Sequence, residues 1–193
     1  YSRLQNPTRE HLEKIVATLE NGIDALAFST GMAAITLVME LFKPGDHLII
    51  DADLYGGSIR LFDNVSLKNG IHFSRIDCWK ENVESYVNEN TKAIYIETPT
   101  NPMMNVTDIA ALAEIAKRHN LLLIVDNTFL SPYFQNPLTL GADIVVHSGT
   151  KFLGGHNDTL AGFLVTNREE ISEQLRFLIK TTGAGLAPFD SWL

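Results

Sequence analysis

The sequence has little cysteine, no long apolar run and no excess of basic residues. Cys78 is the single cysteine among 193 residues, which excludes an internal disulfide and fits a reducing, cytoplasmic compartment. No apolar run approaches the ~20 residues that cross a bilayer, so no membrane partner is expected. Lys and Arg number 15 against 23 Asp and Glu, a net charge of −8, which argues against nucleic acid as a partner.

Short apolar runs alternate along the chain with stretches of helical period. Seven runs predict strands, at residues 25–29, 47–51, 71–76, 93–97, 121–126, 143–147 and 160–166. Their cores are continuously apolar, which is typical of strands buried on both faces. The pattern predicts an α/β fold, with a mostly parallel seven-stranded sheet and helices on both faces.

The ends of two helices are marked by proline and glycine. Asn6 followed by Pro7 predicts the start of a first helix, and Pro44-Gly45 predicts the end of the helix that begins at Gly31. Ligands of such folds bind beyond the carboxyl ends of the strands. The residues just after each predicted strand are therefore the candidates for a site.

The turn at residues 29–34, Ser-Thr-Gly-Met-Ala-Ala, leads from a predicted strand into a predicted helix. Unpaired N–H groups at a helix start, with a glycine that permits close approach, suit a phosphate group. Many strand-to-helix turns have a similar composition, so a purely structural turn is the alternative.

Asp126 ends the most apolar predicted strand. A carboxylate there is able to contact a ribose hydroxyl, hold Mg²⁺, pair with a protonated ring nitrogen, or simply cap the following turn. The nucleotide hypotheses need a phosphate-binding loop or a dinucleotide glycine motif. Neither motif occurs in this sequence.

Lys151 lies in a segment rich in glycine and hydroxyl side chains, between His147 and His156. A surface lysine is the ordinary alternative. A lysine partly desolvated among hydroxyls is suited to forming an imine, because burial lowers the pKa of an amine. The two histidines lack a cysteine or acidic cluster around them, so we expect polar packing and no metal site.

These three features together meet the needs of pyridoxal 5′-phosphate. Its aldehyde needs an amine, its phosphate needs N–H and O–H donors, and its ring nitrogen needs an anion. One cofactor site would explain all three.

Six motifs in sequence order resemble those of the Cys/Met-metabolism enzymes that depend on pyridoxal phosphate. The family includes cystathionine γ-synthases, cystathionine and methionine lyases, and O-acetylhomoserine sulfhydrylases. The motifs are Tyr1 to Thr8, Ser29 to Ile35, Tyr55 to Ser58, Glu97 to Pro102, Asp126 to Phe129, and His147 to Lys151 with Gly154 to His156.

The resemblance implies a role for each matched residue. Lys151 would bond to the cofactor and shuttle protons, and Asp126 would hold the ring nitrogen. Tyr55 would stack on the ring and act as acid or base at the leaving group. The other implied contacts are with the phosphate (Gly31, Met32, Ser148, Thr150), with the ring and substrate (Asn101, Thr128) and with the phosphate of a neighbouring subunit (Tyr1, Arg3).

The resemblance also implies a domain organisation. Residues 1–193 would form the large cofactor-binding domain of a fold-type I enzyme, without the N-terminal arm and the C-terminal domain of the family. The missing part would carry the arginine that binds the substrate's α-carboxylate. Complete sites would form by dimerisation within a tetramer, and we expect the fragment alone to bind cofactor weakly and turn over little.

The expected function is transsulfuration of sulfur amino acids or O-acyl-homoserine by γ-replacement. γ-Elimination, as in cystathionine or methionine γ-lyases, is the alternative within the family. Two alternatives lie outside that chemistry. One is a nucleotide-binding α/β domain without pyridoxal phosphate, and the other is a homologue that keeps the fold without catalysis.

Overall fold

The computed structural model describes residues 1–193. Seven strands form one sheet in the order β1-β7-β6-β5-β4-β2-β3. All seven predicted strands are confirmed, and their ends shift by at most two residues. The strands are β1 (Asp24–Phe28), β2 (His47–Asp51), β3 (His72–Ile76), β4 (Thr91–Glu97), β5 (Leu122–Asp126), β6 (Ile144–Ser148) and β7 (Gly162–Thr166).

The sheet is mostly parallel, as predicted. The four pairs among β2 to β6 are parallel. Strand β7 is antiparallel to both of its neighbours, β1 and β6. As a result the first residue of β7, Gly162, lies at the edge of the sheet where the parallel strands end.

Seven α-helices accompany the sheet, and none is long and apolar enough to span a membrane. Asn6 caps α1 as predicted, because its side chain accepts hydrogen bonds from the amides of Thr8 and Arg9. The helices are α1 (Pro7–Leu19), α2 (Gly31–Met39), α3 (Gly56–Leu61), α4 (Ile109–Arg118), α5 (Ser131–Phe134), α6 (Glu169–Thr182) and α7 (Pro188–Trp192).

The prediction that Pro44-Gly45 ends α2 is wrong. The helix ends at Met39, since the next three amides bond to carbonyls only three residues back and tighten the chain into turns. Pro44 and Gly45 instead form the turn that enters β2, where Gly45 has a φ of +94°.

Helices cover both faces of the sheet, as predicted. Helices α2 and α6 pack on one face, against alternate residues such as Leu26, Tyr95 and Ile124. Helices α1 and α4 pack on the other, against the intervening residues such as Ala25 and Val125. Since side chains alternate along a strand, Glu97 and Asp126 share the α2 face with Tyr95 and Ile124.

Candidate active site

A cavity of about 580 Å³ lies at the carboxyl ends of β4, β5 and β6, beside the start of α2. Nine of the eleven predicted site residues line it, namely Gly31, Met32, Tyr55, Asn101, Asp126, Thr128, Ser148, Thr150 and Lys151. The fold therefore brings together side chains that are scattered over more than 100 residues of sequence.

The start of α2 forms one corner of the cavity. Thr30 caps the helix by accepting a hydrogen bond from the amide of Ala33 at 3.0 Å. The amides of Gly31 and Met32 belong to the first turn, where N–H groups have no intrahelical partner. A Cβ on Gly31 would lie 2.9 Å from the Cβ of Ser148, so glycine allows the helix start and the end of β6 to share this corner.

Asp126 forms the floor of the cavity. Its side chain is buried, and its Oδ1 accepts a hydrogen bond from the amide of Thr128 at 3.0 Å. The hydroxyl oxygen of Thr128 in turn accepts from the amide of Ser148 at 2.8 Å. The ends of β5 and β6 are thus joined around a buried carboxylate.

Lys151 extends from the loop that follows β6. The side chain of Thr150 closes the base of this loop, because its hydroxyl accepts from the amide of Ala161 at 3.2 Å. Lys151 itself is exposed, so the prediction of a partly desolvated lysine is wrong for this chain. Its amine is free to meet an incoming aldehyde.

Tyr55 lies at the cavity mouth, where 48% of its surface is exposed. Its ring rests against Gly57, since a Cβ at that glycine would lie 2.4 Å from Cε1 of the ring and 3.1 Å from the sulfur of Met32. The ring is therefore free on one side.

The two remaining predicted residues, Tyr1 and Arg3, do not line the cavity of their own chain. Arg3 donates to the Tyr1 hydroxyl at 3.1 Å and to the carbonyl of Lys180. Tyr1 is 82% exposed. Both side chains are available at the surface to a neighbouring molecule.

The predicted polar packing of His147 is confirmed. It is fully buried, and its Nε2 lies 2.5 Å from Oε1 of Glu20, which also accepts from Asn127 at 2.8 Å. His156 is exposed, with its Nδ1 2.8 Å from the carbonyl of Gly154. The structure has no group of three His, Cys, Asp or Glu side chains arranged to hold a metal ion.

Glu97 is a cavity residue to which sequence reasoning gave no role. It ends β4, is buried, and sits beside Asp126 in the register of β4 and β5. Its Oε2 accepts a hydrogen bond from the amide of Tyr55 at 2.8 Å. Its place at the end of a predicted strand was a signal that could have identified it. The other cavity residues that the prediction omitted are Thr30, Phe129, Phe152, Gly155, Asn157 and Leu160.

The carboxyl groups of Glu97 and Asp126 are neighbours, and burial shifts the pKa of both. Burial, and then the charge of Asp126, raise the pKa of Glu97 to about 8. Burial also raises the pKa of Asp126, but the hydrogen bonds from Thr128 and the nearby His147 act in the opposite direction. At neutral pH Glu97 therefore holds a proton.

A pH-dependent stability arises from Glu97. The folded chain binds this proton more tightly than an unfolded chain, in which the pKa is 4.5. The resulting stabilisation is present at low pH and is lost as the pH rises from 4.5 to about 8. We expect cofactor-free Glu97→Gln to gain stability relative to the wild type over this range, as measured by urea unfolding. The exposed Glu89→Gln should give no such trend, and parallel stability curves for Glu97→Gln and wild type would contradict the assignment.

The cavity fits pyridoxal 5′-phosphate. The first amides of α2 and the hydroxyls of Ser148 and Thr150 can take a phosphate, and the Asp126 carboxylate can hold a protonated ring nitrogen. Lys151 is the one amine among the lining residues. These are the three groups that the cofactor requires.

Comparison with known proteins identifies the family. The chain matches the family described as Cys/Met metabolism PLP-dependent enzyme over residues 1–193. It is 54% identical, over its full length, to a cystathionine γ-lyase of Bacillus subtilis (strain 168), and covers 51% of that protein. It is also 54% identical to a cystathionine γ-synthase/O-acetylhomoserine (thiol)-lyase of the same organism, and covers 52% of it. The chain thus spans about half the length of these relatives.

The fold agrees with this match. The crystal structure of cystathionine γ-lyase from Lactobacillus plantarum complexed with L-serine superposes with a TM-score of 0.98 at 49% identity, over all of this chain and 51% of that one. The family match supports pyridoxal phosphate over the nucleotide alternative. The chain belongs to the Cys/Met-metabolism family of enzymes, whose cofactor is pyridoxal 5′-phosphate.

Proposed function

We propose that the complete protein containing this chain catalyses γ-replacement on sulfur amino acids or O-acyl-homoserine. With O-acyl-homoserine, an added thiol or sulfide forms the new carbon–sulfur bond at Cγ and the acyl group leaves as its carboxylate. This chain would be its large, cofactor-binding domain. The observation that carries the proposal is the single cavity in which Lys151, Asp126 and the start of α2 meet. An amine, a buried carboxylate and an anion site are the groups needed to bind pyridoxal phosphate and to use it on an amino acid.

Three side chains would do the acid–base work. When bound, the cofactor supplies an electron sink that stabilises negative charge next to the substrate's amino group. Lys151 would attach the cofactor and move the proton at the substrate Cα. Asp126 would keep the ring nitrogen protonated, and Tyr55 would give or take a proton at the leaving group.

The groups proposed to bind the cofactor and the substrate line the same cavity. The amides of Gly31 and Met32 and the hydroxyls of Ser148 and Thr150 would hold the phosphate. Asn101 and Thr128 would contact the cofactor ring or the substrate. These residues all line the cavity.

A second copy would complete the site. Tyr1 and Arg3 lie outside the cavity of their own chain, with polar atoms at the surface. We propose that they reach the phosphate of a neighbouring subunit, in a dimer of dimers. No arginine lines the cavity, so the group that binds the substrate's α-carboxylate would come from outside this chain.

γ-Elimination is the second candidate. Two relatives that are 54% identical to this chain carry different names, a γ-lyase and a γ-synthase/(thiol)-lyase. The two reactions use the same cavity residues and differ in the step after the leaving group departs. Synthases add a thiol, whereas lyases release a 2-oxo acid and ammonia.

The test supplies the complete protein with O-acyl-homoserine plus cysteine or sulfide, and separately with cystathionine or methionine alone. We expect the replacement product, a thioether with cysteine or a thiol with sulfide, to exceed release of 2-oxo acid. Release of 2-oxo acid and ammonia from cystathionine or methionine, without a replacement product, would favour elimination. A yellow colour that hydroxylamine removes would report the cofactor in either case.

A further inference from the structure

We propose that Glu97 is a positioning residue for the proposed chemistry: it fixes the backbone of Tyr55, and through it the Tyr55 ring, at the mouth of the cavity. The inference rests on the proposed function for the role of Tyr55. It concerns a buried carboxyl group for which the acid–base steps provide no use.

Tyr55 is held through its main chain on both sides. Its amide donates to Oε2 of Glu97 at 2.8 Å. Its carbonyl accepts from the amide of Ser58 at 2.8 Å and so begins α3. The ring is half exposed and touches Gly57 on one side, so side-chain packing alone leaves it free to swing. The backbone anchors therefore set where the ring points.

A second bond braces the same loop. The hydroxyl of Thr100 donates to Oδ2 of Asp53 at 2.5 Å, and the amide of Asn105 donates to the Thr100 hydroxyl oxygen at 2.9 Å. The loop that carries Tyr55 is thus held at two points: Tyr55 bonds to Glu97 at the end of β4, and Asp53 bonds to Thr100 in the segment after β4. Glu97 is the anchor that acts on Tyr55 directly.

The protonation of Glu97 suits this task. It sits beside Asp126 in the sheet, where a second negative charge would compete for the ring nitrogen. The acidic groups around it are Asp51, Asp53 and Asp126, and they act with burial to keep it protonated. A neutral carboxyl still offers an oxygen to the Tyr55 amide. We therefore expect Glu97→Gln to keep the hydrogen bond from the Tyr55 amide, because glutamine is neutral and carries an acceptor oxygen at the same place.

The experiment is a double-mutant cycle between Glu97 and Tyr55 in the complete, cofactor-loaded protein. We expect Glu97→Ala to lower kcat by about tenfold to a hundredfold, the scale of a small misplacement of a reacting group. KM should change little, and Glu97→Gln should restore most of kcat. In a Tyr55→Phe background, which lacks the hydroxyl, Glu97→Ala should change kcat by less than about threefold, because effects that act through one group are not additive.

Two readouts do not depend on turnover. Hydrogen exchange of the Tyr55 amide should accelerate in Glu97→Ala and stay slow in Glu97→Gln, with or without cofactor. The visible circular dichroism of the bound cofactor should change in Glu97→Ala and in Gly57→Ala, whose new Cβ would lie 2.4 Å from the Tyr55 ring. Glu89→Ala, at an exposed position, is the matched control and should match the wild type. If Glu97→Ala does not fold, Glu97→Asp is measured in its place. Its side chain is shorter by one methylene, so the acceptor oxygen is drawn back from the Tyr55 amide.

The proposal is wrong if Glu97→Ala leaves kcat unchanged or lowers it by the same factor in both backgrounds. It is also wrong if the Tyr55 amide stays protected without Glu97. The proposed function fails separately, if the wild-type protein forms no replacement product from O-acyl-homoserine with cysteine or with sulfide. In that case amide exchange and dichroism still decide the role of Glu97.

Discussion

Replacing Lys151 by alanine should abolish covalent attachment of pyridoxal phosphate to the protein. Lys151 is the one amine among the residues that line the cavity. Its loss removes both the bond to the aldehyde and the base that moves the Cα proton, so kcat in the complete protein should fall by about 10³-fold or more. Borohydride reduction and then peptide mass spectrometry should find the cofactor on Lys151 in the wild type and on no peptide in Lys151→Ala.

The matched control is Lys68→Ala, which removes an amine from an exposed position away from the cavity. It should keep the reducible adduct and the activity. A cofactor adduct that survives in Lys151→Ala would place the attachment on another residue and would overturn the site assignment. Weak noncovalent binding of cofactor to the variant agrees with the prediction, because the phosphate corner remains intact.

Replacing Gly162 by alanine should damage the phosphate corner without touching a proposed catalytic group. A Cβ there would lie 2.1 Å from the carbonyl oxygen of Thr30 and 2.7 Å from the nitrogen of Gly31. Both atoms belong to the backbone, so the steric clash can be relieved only if the start of α2 moves. We expect the free energy of unfolding to fall by about 1–3 kcal/mol. Cofactor affinity should fall by about tenfold or more, equivalent to about 1.4 kcal/mol.

Urea unfolding and cofactor titration of the purified variant measure the two effects. Gly56→Ala is the control, because a Cβ at that exposed glycine meets nothing within 4 Å. Its stability and cofactor affinity should be close to those of the wild type. Wild-type affinity in Gly162→Ala would show that the start of α2 does not set the phosphate site.

Local sequence patterns were enough to predict the sheet. Six of the seven strands are mainly apolar and buried, because both faces of the sheet are covered by helices. The edge strand β3, His-Phe-Ser-Arg-Ile, is more polar and partly exposed. Asp126 and the segment of Lys151 could be identified as site candidates because the carboxyl ends of parallel strands meet at one edge. These inferences needed only residues close together in the chain.

The parts that could not be predicted depend on contacts distant in sequence. Glu97 gains its neighbour Asp126 only through the register of β4 with β5, and its contact with Tyr55 spans 42 residues. The exposure of Lys151 depends on how distant parts of the chain pack around its loop, which no local pattern records. The end of α2 at Met39 was missed for a different reason: tightened turns interrupt the helix before the proline and glycine that usually mark a helix end.

The loop after β6 is closed at its base, where its two ends are hydrogen-bonded to each other. Thr150 and Ala161 are joined by hydrogen bonds in both directions, at 3.2 and 3.3 Å. Lys151 directly follows Thr150, and its carbonyl accepts from the amide of Gly155 at 2.8 Å. The later part of the loop, residues 156–160, can therefore gain or lose residues while Lys151 keeps its place beside Thr150, and each doubling of the loop length costs only about 0.6 kcal/mol of closure entropy. Since Asn157 and Leu160 of this loop line the cavity, insertions there offer a protein engineer a way to change the cavity wall while the amine of Lys151, the proposed attachment point, stays beside Thr150.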